Sequence, residues 1–282
     1  MKKGLVLEGG AMRGLYTAGI IDVMMEAGIR PDGVIGVSAG AAFGCNYKSW
    51  QPGRAIRYNM RFAKDRRYGS LGSLLRTGDY FNARFAYHVM PERYDKFDHA
   101  TFDRNPMAFV AVCTDVDTGK AVYKHISQCD ENTYDWIRAS ASMPLFSKIV
   151  CLEGYRLLDG GVADSIPLEY FEHAGYERNV VILTQPEGYV KHHNRLMPLM
   201  RWSLRGYPRM IQALDERHLM YNRQLDYVRE AEREGRCLVI RPDAKLPIGH
   251  ISHDASRMKK VYEIGREIGR RWLPRLEAFY AR

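Results

Sequence analysis

The sequence has few cysteines and none of the spacings that usually pair them or bind a metal. Its five cysteines are scattered along 282 residues, and no C-x-x-C pair occurs. An odd number of dispersed thiols argues against a disulfide framework and against a cysteine-based metal site. We therefore expect reduced thiols in a cytoplasmic protein, with no metal or other cofactor.

Long apolar runs are also absent. No stretch approaches the roughly 18 apolar residues that a membrane-spanning helix needs, and only a short apolar run separates Lys3 from Glu8. That run is too short for the apolar core of a secretory signal. We expect neither a membrane span nor a targeting segment.

Acidic charge is scarce in two parts of the chain, although the net charge is only +9. Residues 53–93 hold nine Lys and Arg against three Asp and Glu, and residues 191–282 hold twenty against eleven. A basic surface attracts anionic lipid or nucleic acid, but it is also typical of solvated helices. No nucleic-acid-binding motif accompanies the charge, so we predict no nucleic-acid partner. Nothing indicates an oligomeric state.

The first basic segment has a helical spacing that suggests a membrane surface. Four basic side chains fall at i, i+3 and i+4 positions on one predicted helix face, interleaved with aromatic residues: Arg54, Arg57, Arg61 and Lys64. Such a face suits an anionic bilayer. Peripheral membrane contact is therefore a hypothesis, with a solvated or ion-paired face as the alternative.

Strands and helices alternate over the first two thirds of the chain. The order strand, glycine-rich turn, helix and strand over residues 3–37 makes a βαβ unit. Further apolar strands are predicted at residues 107–114, 155–158 and 180–184, separated by helical segments. This alternation predicts an α/β fold with a largely parallel sheet.

The character of the chain changes after about residue 190. A long charged helix is predicted over residues 209–234, a short strand over 238–241 and a final helix over 255–280. We therefore predict a catalytic domain over residues 1–190 and a mainly helical extension over residues 191–282.

The strongest chemical signal is the G-x-S-x-G pattern that runs from Gly36 through Ser38 to Gly40. It stands between a predicted strand and a predicted helix, the context that gives the pattern meaning as a nucleophile turn. The helix N-terminus behind it favours a developing negative charge. The alternative is an ordinary helix cap, because serine is also a good N-cap residue.

A second glycine-rich turn, GGAMRG, begins at Gly9 and ends at Gly14. Glycines let backbone N–H groups approach a reacting oxygen, which suits the oxyanion of an acyl-transfer intermediate. The turn also approaches a dinucleotide-binding fingerprint, but that function wants an acidic residue where the second strand ends, and Ser38 stands there. A phosphate-binding P-loop is excluded because Gly-Lys-Ser/Thr is missing.

Asp159, followed by Gly160 and Gly161, ends another predicted strand. The triplet is often only a turn, but a serine nucleophile needs a nearby base, and ligand sites form at this edge of a parallel sheet. An α/β-hydrolase would instead add a histidine after the aspartate. Six histidines follow, yet Ser38 comes too early for that fold, and we expect each histidine to be a surface or hydrogen-bonded residue without a catalytic role.

These three patterns, in this order, resemble the patatin-like phospholipase family, and the resemblance covers about residues 3–190. It includes Glu8 before GGAMRG, the segment TDVDTG from Thr114, the segment ASASMPLF from Ala139, and Pro167. The resemblance implies a three-layer α/β/α fold with a mostly parallel sheet. A C-terminal extension like this one is similar to that of some bacterial cytoplasmic members.

The resemblance also implies roles for individual residues. Ser38 would be the nucleophile and Asp159 its base, in a Ser–Asp dyad without histidine. The oxyanion would be held by the backbone of Gly9, Gly10 and Ala11, with help from Ala39. Arg13, next to Gly14, would contact a phosphate or carboxylate on the substrate. Ala11 departs from the family's third glycine, which is tolerable if its φ is negative and would narrow the loop.

The function implied is that of a serine hydrolase acting on lipid acyl esters, of the phospholipase A or lysophospholipase type. Two alternatives stay open. One is a carboxylesterase for small esters, and the other is a non-catalytic patatin-like protein that binds lipid or a partner.

Overall fold

A computed structural model describes residues 1–281, and its centre is an eight-stranded sheet. The strands are β1 (Lys2–Leu7), β2 (Gly33–Val37), β3 (Ala108–Asp115), β4 (Ala121–His125), β5 (Val150–Leu152), β6 (Tyr155–Asp159), β7 (Tyr176–Ile182) and β8 (Cys237–Ile240). Their order is β5-β6-β3-β2-β1-β7-β8, with β4 also paired to β3. Five neighbouring strands run parallel to one another: β3, β2, β1, β7 and β8. Strands β4 and β6 pair antiparallel with β3, and β5 pairs antiparallel with β6.

Helices cover both faces of the sheet. They are α1 (Gly14–Glu26), α2 (Ala39–Lys48), α3 (Arg54–Phe62), α4 (Leu71–Thr77), α5 (His99–Arg104), α6 (Thr133–Ser140), α7 (Leu168–His173), α8 (Met197–Ser203), α9 (Pro208–Arg233) and α10 (Ala255–Ala281). A π-helical segment, Arg84–Tyr94, lies between α4 and α5. One apolar core joins the sheet to α1, α2, α6 and α10. A second joins its other face to α7 and α9. The predicted three-layer α/β/α fold is confirmed.

The region after residue 190 is mainly helical, as predicted, and it is joined closely to the rest. Strand β8 extends the sheet beside β7, and α10 packs along α1. At Gly265 an added Cβ would come within 2.1 Å of the Tyr16 carbonyl oxygen, so only glycine allows this approach. No helix within residues 1–281 is both long enough and apolar enough to cross a membrane. The boundary at residue 190 stays a prediction.

The predicted basic face of residues 54–64 is partly engaged by internal contacts, although Arg57, Arg61 and Lys64 stay exposed. The Arg54 side chain is only 4% exposed, and it donates to Asn46 and to the Asp95 carbonyl. Arg57 forms an ion pair with Asp95 at 3.0 Å. The expectation of four solvent-facing charges is wrong at Arg54, because its guanidinium ties α3 to the segment that follows the π-helix.

Candidate active site

Ser38 stands on a sharp turn between β2 and α2. Its φ is 56°, a conformation that costs a non-glycine residue energy and that clusters at functional sites. The turn is tight because Gly36 and Gly40 touch: a Cβ added at Gly36 would lie 2.5 Å from the Gly40 carbonyl carbon. The Ser38 N–H donates to the Ser140 hydroxyl at 2.9 Å, and that hydroxyl donates to the Val112 carbonyl. These bonds hold the turn against its own strain.

Strand register brings Asp159 to Ser38. Val37, the last residue of β2, pairs with Val112 of β3, and Asp159 pairs with the next residue, Cys113. Strand β4 occupies the other edge of this part of β3. Strand β6 therefore meets β2 end to end, with Asp159 opposite the nucleophile turn.

The Asp159 carboxyl group is buried and held by hydrogen bonds. One of its oxygens accepts the Gly161 N–H at 2.8 Å, and Asp159 lines the same chamber as Ser38. Burial raises the pKa of Asp159, while the positive charge of Arg217 and the nearby Ser38 side chain oppose that rise. A buried carboxylate beside a serine hydroxyl can serve as its proton acceptor.

The glycine-rich turn lies beside this pair. Gly9, Gly10, Ala11 and Ala39 line the space around Ser38. Their backbone N–H groups have no hydrogen-bond acceptor among residues 1–281. The condition set for Ala11 is not met, because its φ is 48°, in the left-handed region. The loop keeps the positive-φ backbone that a glycine would adopt easily, and Ala11 adopts it with backbone strain.

Glu8 lies buried beneath the glycine-rich turn, 2% exposed. Its carboxylate accepts hydrogen bonds from the Thr184 backbone and hydroxyl and from the Tyr221 hydroxyl. Tyr221 belongs to α9, so the C-terminal region helps to fix the turn. Glu8 is thus engaged on both oxygens.

Two chambers meet at Ser38. The first is mainly apolar and lies between α2, α3 and the π-helical segment; its lining includes Met12, Ala42, Phe43, Tyr58, Ala86, Met90 and Ile137. The second is more polar and reaches α8 and α9; its lining includes Glu8, Arg13, Asp159, Lys191, Asn194 and Arg217. An amphipathic molecule that spans both would pass its central part over the Ser38 hydroxyl.

One of the six histidines, His250, lies at the site, and its lack of a catalytic role stays a prediction. Its ring borders both chambers, and its Nε2 lies 3.1 Å from Nη1 of Arg13. Partial burial and the charges of Arg13, Lys191 and Arg217 lower its pKa to about 4. His250 thus faces an arginine and no carboxylate, unlike the histidine of a catalytic triad. Its position depends on residues 241–254, a loop with no motif.

The two residues predicted to contact substrate lie in different places. Arg13 lines the polar chamber, and its Nε atom is buried without a partner among residues 1–281. Gly14 lies under the site instead: a Cβ there would come within 2.7 Å of the Ala39 Cβ. Gly14 therefore packs α1 against α2 and lines neither chamber. Gly161 lines the polar chamber, whereas Gly160 packs against the Val112 carbonyl.

Sequence reasoning missed Ser140, Lys191, Arg217 and Tyr221. Ser140 stands within the ASASMPLF segment, so its motif was available, but its bond to Ser38 could not be read from spacing. The other three come from a region without motifs.

Comparison with known proteins gives a family for most of the chain. A family model described as Patatin-like phospholipase matches residues 5–172. A second model, described as a domain of unknown function (DUF6363), matches residues 207–281. The protein named Uncharacterized protein YjjU of Escherichia coli (strain K12) is 29% identical, over 95% of this chain and 76% of its own length.

Fungal relatives are more distant and much longer. Lysophospholipase NTE1 of Phaeosphaeria nodorum is 27% identical over 97% of this chain, and that of Coccidioides immitis is 26% identical over 97%. The chain spans only 18% of the length of each. The crystal structure of VipD from Legionella pneumophila aligns with 97% of this chain and 67% of its own, at 14% identity and a TM-score of 0.49.

Proposed function

Since this chain belongs to the patatin-like phospholipase family of lipid acyl hydrolases, we propose that it cleaves the ester of a lysophospholipid-type lipid, with Ser38 as nucleophile and Asp159 as base. The observation that most supports this is the meeting of an apolar and a polar chamber at Ser38. An acyl chain in the first and a headgroup in the second would leave the ester at the hydroxyl.

The proposed reaction has two halves. As Ser38 attacks the ester carbonyl, its proton passes to Asp159, and the oxyanion forms against the free N–H groups of Gly10, Ala11 and Ala39. The intermediate collapses to an acyl-serine while Asp159 returns the proton to the leaving alkoxide. Water then attacks the acyl-serine, giving its proton to Asp159, and Ser38 regains a proton as the fatty acid leaves.

Filling the apolar chamber should shorten the preferred acyl chain. Ala86 is buried on the π-helical segment and lines this chamber. We expect Ala86→Phe to lower kcat/KM for a long-chain aryl ester by about tenfold relative to a butyrate ester, because each excluded methylene loses its burial energy. A series of esters graded by chain length, assayed on the wild type and with Ser38→Ala as the blank, gives the measurement.

Ala100→Phe is the matched control, because Ala100 is exposed on α5. If Ala86→Phe lowers activity on both ester lengths equally, the apolar chamber does not hold the acyl chain. A wild-type optimum at butyrate would instead support the small-ester alternative.

A cytoplasmic location stays a prediction.

For membrane contact, α4 suits the role better than α3. It exposes Leu71 and Leu75, by 69% and 88%, next to exposed Arg76. An apolar pair on one face flanked by positive charge matches an interfacial helix. We propose that α4 docks on anionic lipid, and that the acyl chain enters from that surface, because Tyr68 and Phe81 on either side of α4 line the apolar chamber.

Leu71→Ser with Leu75→Ser should weaken co-sedimentation with vesicles of phosphatidylglycerol and phosphatidylcholine roughly tenfold, because two side chains lose apolar burial. Binding of the wild type should also fall as salt rises from about 0.05 to 0.5 M. Leu219→Ser, on exposed Leu219 of α9, serves as control. Unchanged sedimentation of the double variant would remove the membrane role from α4.

A further inference from the structure

We propose that Lys191 and Arg217, two residues outside the matched patatin segment, form a phosphate-binding site with Arg13 that selects phosphate-bearing acyl esters. The inference rests on the proposed hydrolase function and adds the part of the substrate that lies beyond the ester. It assigns a binding role to the C-terminal region. Helix α9 of this region contributes Arg217 and holds the Lys191 backbone in place.

The three cations converge on one chamber from different parts of the chain. Arg13 follows the glycine-rich turn, Lys191 lies after β7, and Arg217 lies on α9, yet all three line the polar chamber beside Ser38. The three positive charges repel one another. Burial is the largest cause that lowers the pKa of Lys191, and the charges of Arg217 and Arg13 lower it further. Like charges held this close favour an anion between them.

Lys191 is fixed in place without an acidic partner. Its backbone exchanges two hydrogen bonds with the Asn222 side chain, at 2.8 and 3.0 Å. Its Nζ lies 4.5 Å from the centre of the Tyr221 ring, and no carboxylate within residues 1–281 lies at ion-pair distance from it. The ammonium group therefore keeps its donors for a ligand.

The carboxylates of the chamber leave positive charge in excess. Glu8 is engaged by Thr184 and Tyr221, and Asp159 accepts the Gly161 N–H. Three cations thus face two carboxylates, while Arg13 Nε is buried without a partner. A phosphodiester carries one negative charge and offers two free oxygens, which Arg and Lys bind well. It would balance the chamber and satisfy the open donors.

The test compares two esters that share one acyl chain, a lysophosphatidylcholine and the matching monoacylglycerol, which lacks phosphate. In Lys191→Met, kcat/KM for the lysophospholipid should fall about tenfold or more, because a charge-assisted hydrogen bond is lost. Its value for the monoacylglycerol should change less than about threefold, because that ester has no phosphate for the ammonium group to bind. Lys191→Arg should restore most of the preference.

Arg195→Met is the control, because Arg195 is exposed four residues away. Equal losses on both esters in Lys191→Met would overturn the phosphate site while leaving the hydrolase function intact. If the wild type cleaves neither ester in a Ser38-dependent way, the proposed function itself fails. Inorganic phosphate separates the two sources of the anion: Lys191-dependent inhibition of butyrate hydrolysis, without preference for the lysophospholipid, would assign the site to free phosphate and overturn headgroup selection.

A pH profile gives a readout that a purely structural lysine would not move. Burial and the neighbouring cations lower the pKa of Lys191 to about 8, while Glu8 and Asp159 oppose that shift. Lys191 is charged below this pH and loses its charge above it. The kcat/KM ratio of lysophospholipid to monoacylglycerol should therefore fall as pH rises through about 8. His250, with a pKa of about 4, stays neutral across this range. The step should vanish in Lys191→Arg, and its persistence there would contradict the site.

Discussion

Replacing Ser38 with alanine is expected to abolish ester hydrolysis while leaving the protein folded. The loss should be on the order of 10⁶-fold in kcat, the scale seen when a nucleophile is removed from a serine hydrolase. Alanine removes one oxygen atom and adopts the same strained backbone, so the turn and its bond to Ser140 should persist. Initial rates on an aryl ester, with thermal unfolding of both proteins, give the measurement.

A fluorophosphonate probe supplies the independent check. It should label Ser38 in the wild type and no serine in Ser38→Ala, as determined by peptide mass analysis. Ser38→Gly is a second inactive variant whose backbone adopts a positive φ without strain. Turnover by either purified variant above a mock preparation would contradict the assignment of Ser38 as nucleophile. Labelling of Ser38→Ala by the probe to the same extent as the wild type would contradict it too.

Asp159→Asn is expected to lower kcat by about 10⁴-fold, because an amide cannot accept the serine proton. Asparagine keeps the size of the side chain and can still accept the Gly161 N–H through its oxygen. The strand register that places residue 159 opposite Ser38 should be unaffected. The measurement is single-turnover acylation, which isolates the step that needs the base.

His250→Gln is the decisive comparison, since His250 is the histidine that borders both chambers. We expect kcat of His250→Gln to fall less than about tenfold, because losing the base lowers the rate far more than losing a side chain that only borders the site. Glutamine can still accept a hydrogen bond from Arg13. The other histidines after Asp159 should each change activity only a few-fold when replaced by alanine. If His250→Gln is as inactive as Asp159→Asn, a triad operates and the dyad is wrong.

The strands, the βαβ unit and the nucleophile turn could be predicted because their causes are local. Short apolar runs of four to eight residues predict the strands, and the GVSAG pattern predicts the turn. The parallel sheet follows from the alternation of strands and helices. Asp159 was expected at the carboxyl end of a parallel strand, and this is wrong because β6 runs antiparallel to β3. Asp159 faces Ser38 through the end-to-end meeting of β2 and β6, which depends on register, and spacing does not reveal register.

The polar chamber could not be predicted, because it is assembled from distant segments. Arg13, Lys191 and Arg217 are separated by up to about two hundred residues, and neither Lys191 nor Arg217 stands in a motif. The position of His250 beside both chambers could not be predicted for the same reason. Arg54 shows the opposite error: its helical spacing was correct, but a tertiary contact with Asp95 buried it. Periodicity locates a face of a helix, whereas burial depends on what packs there.

The two ends of the site are synthesised far apart in time. Ser38 and the glycine-rich turn lie near the start of the sequence, while Tyr221 and His250 follow roughly two hundred residues later. At a translation rate of about 5–20 residues per second, the nucleophile turn leaves the ribosome on the order of 10–40 s before the loop that carries His250. Helix α10, which packs along α1, comes later still. A nascent chain thus carries Ser38 well before the segments that complete its two chambers have been synthesised.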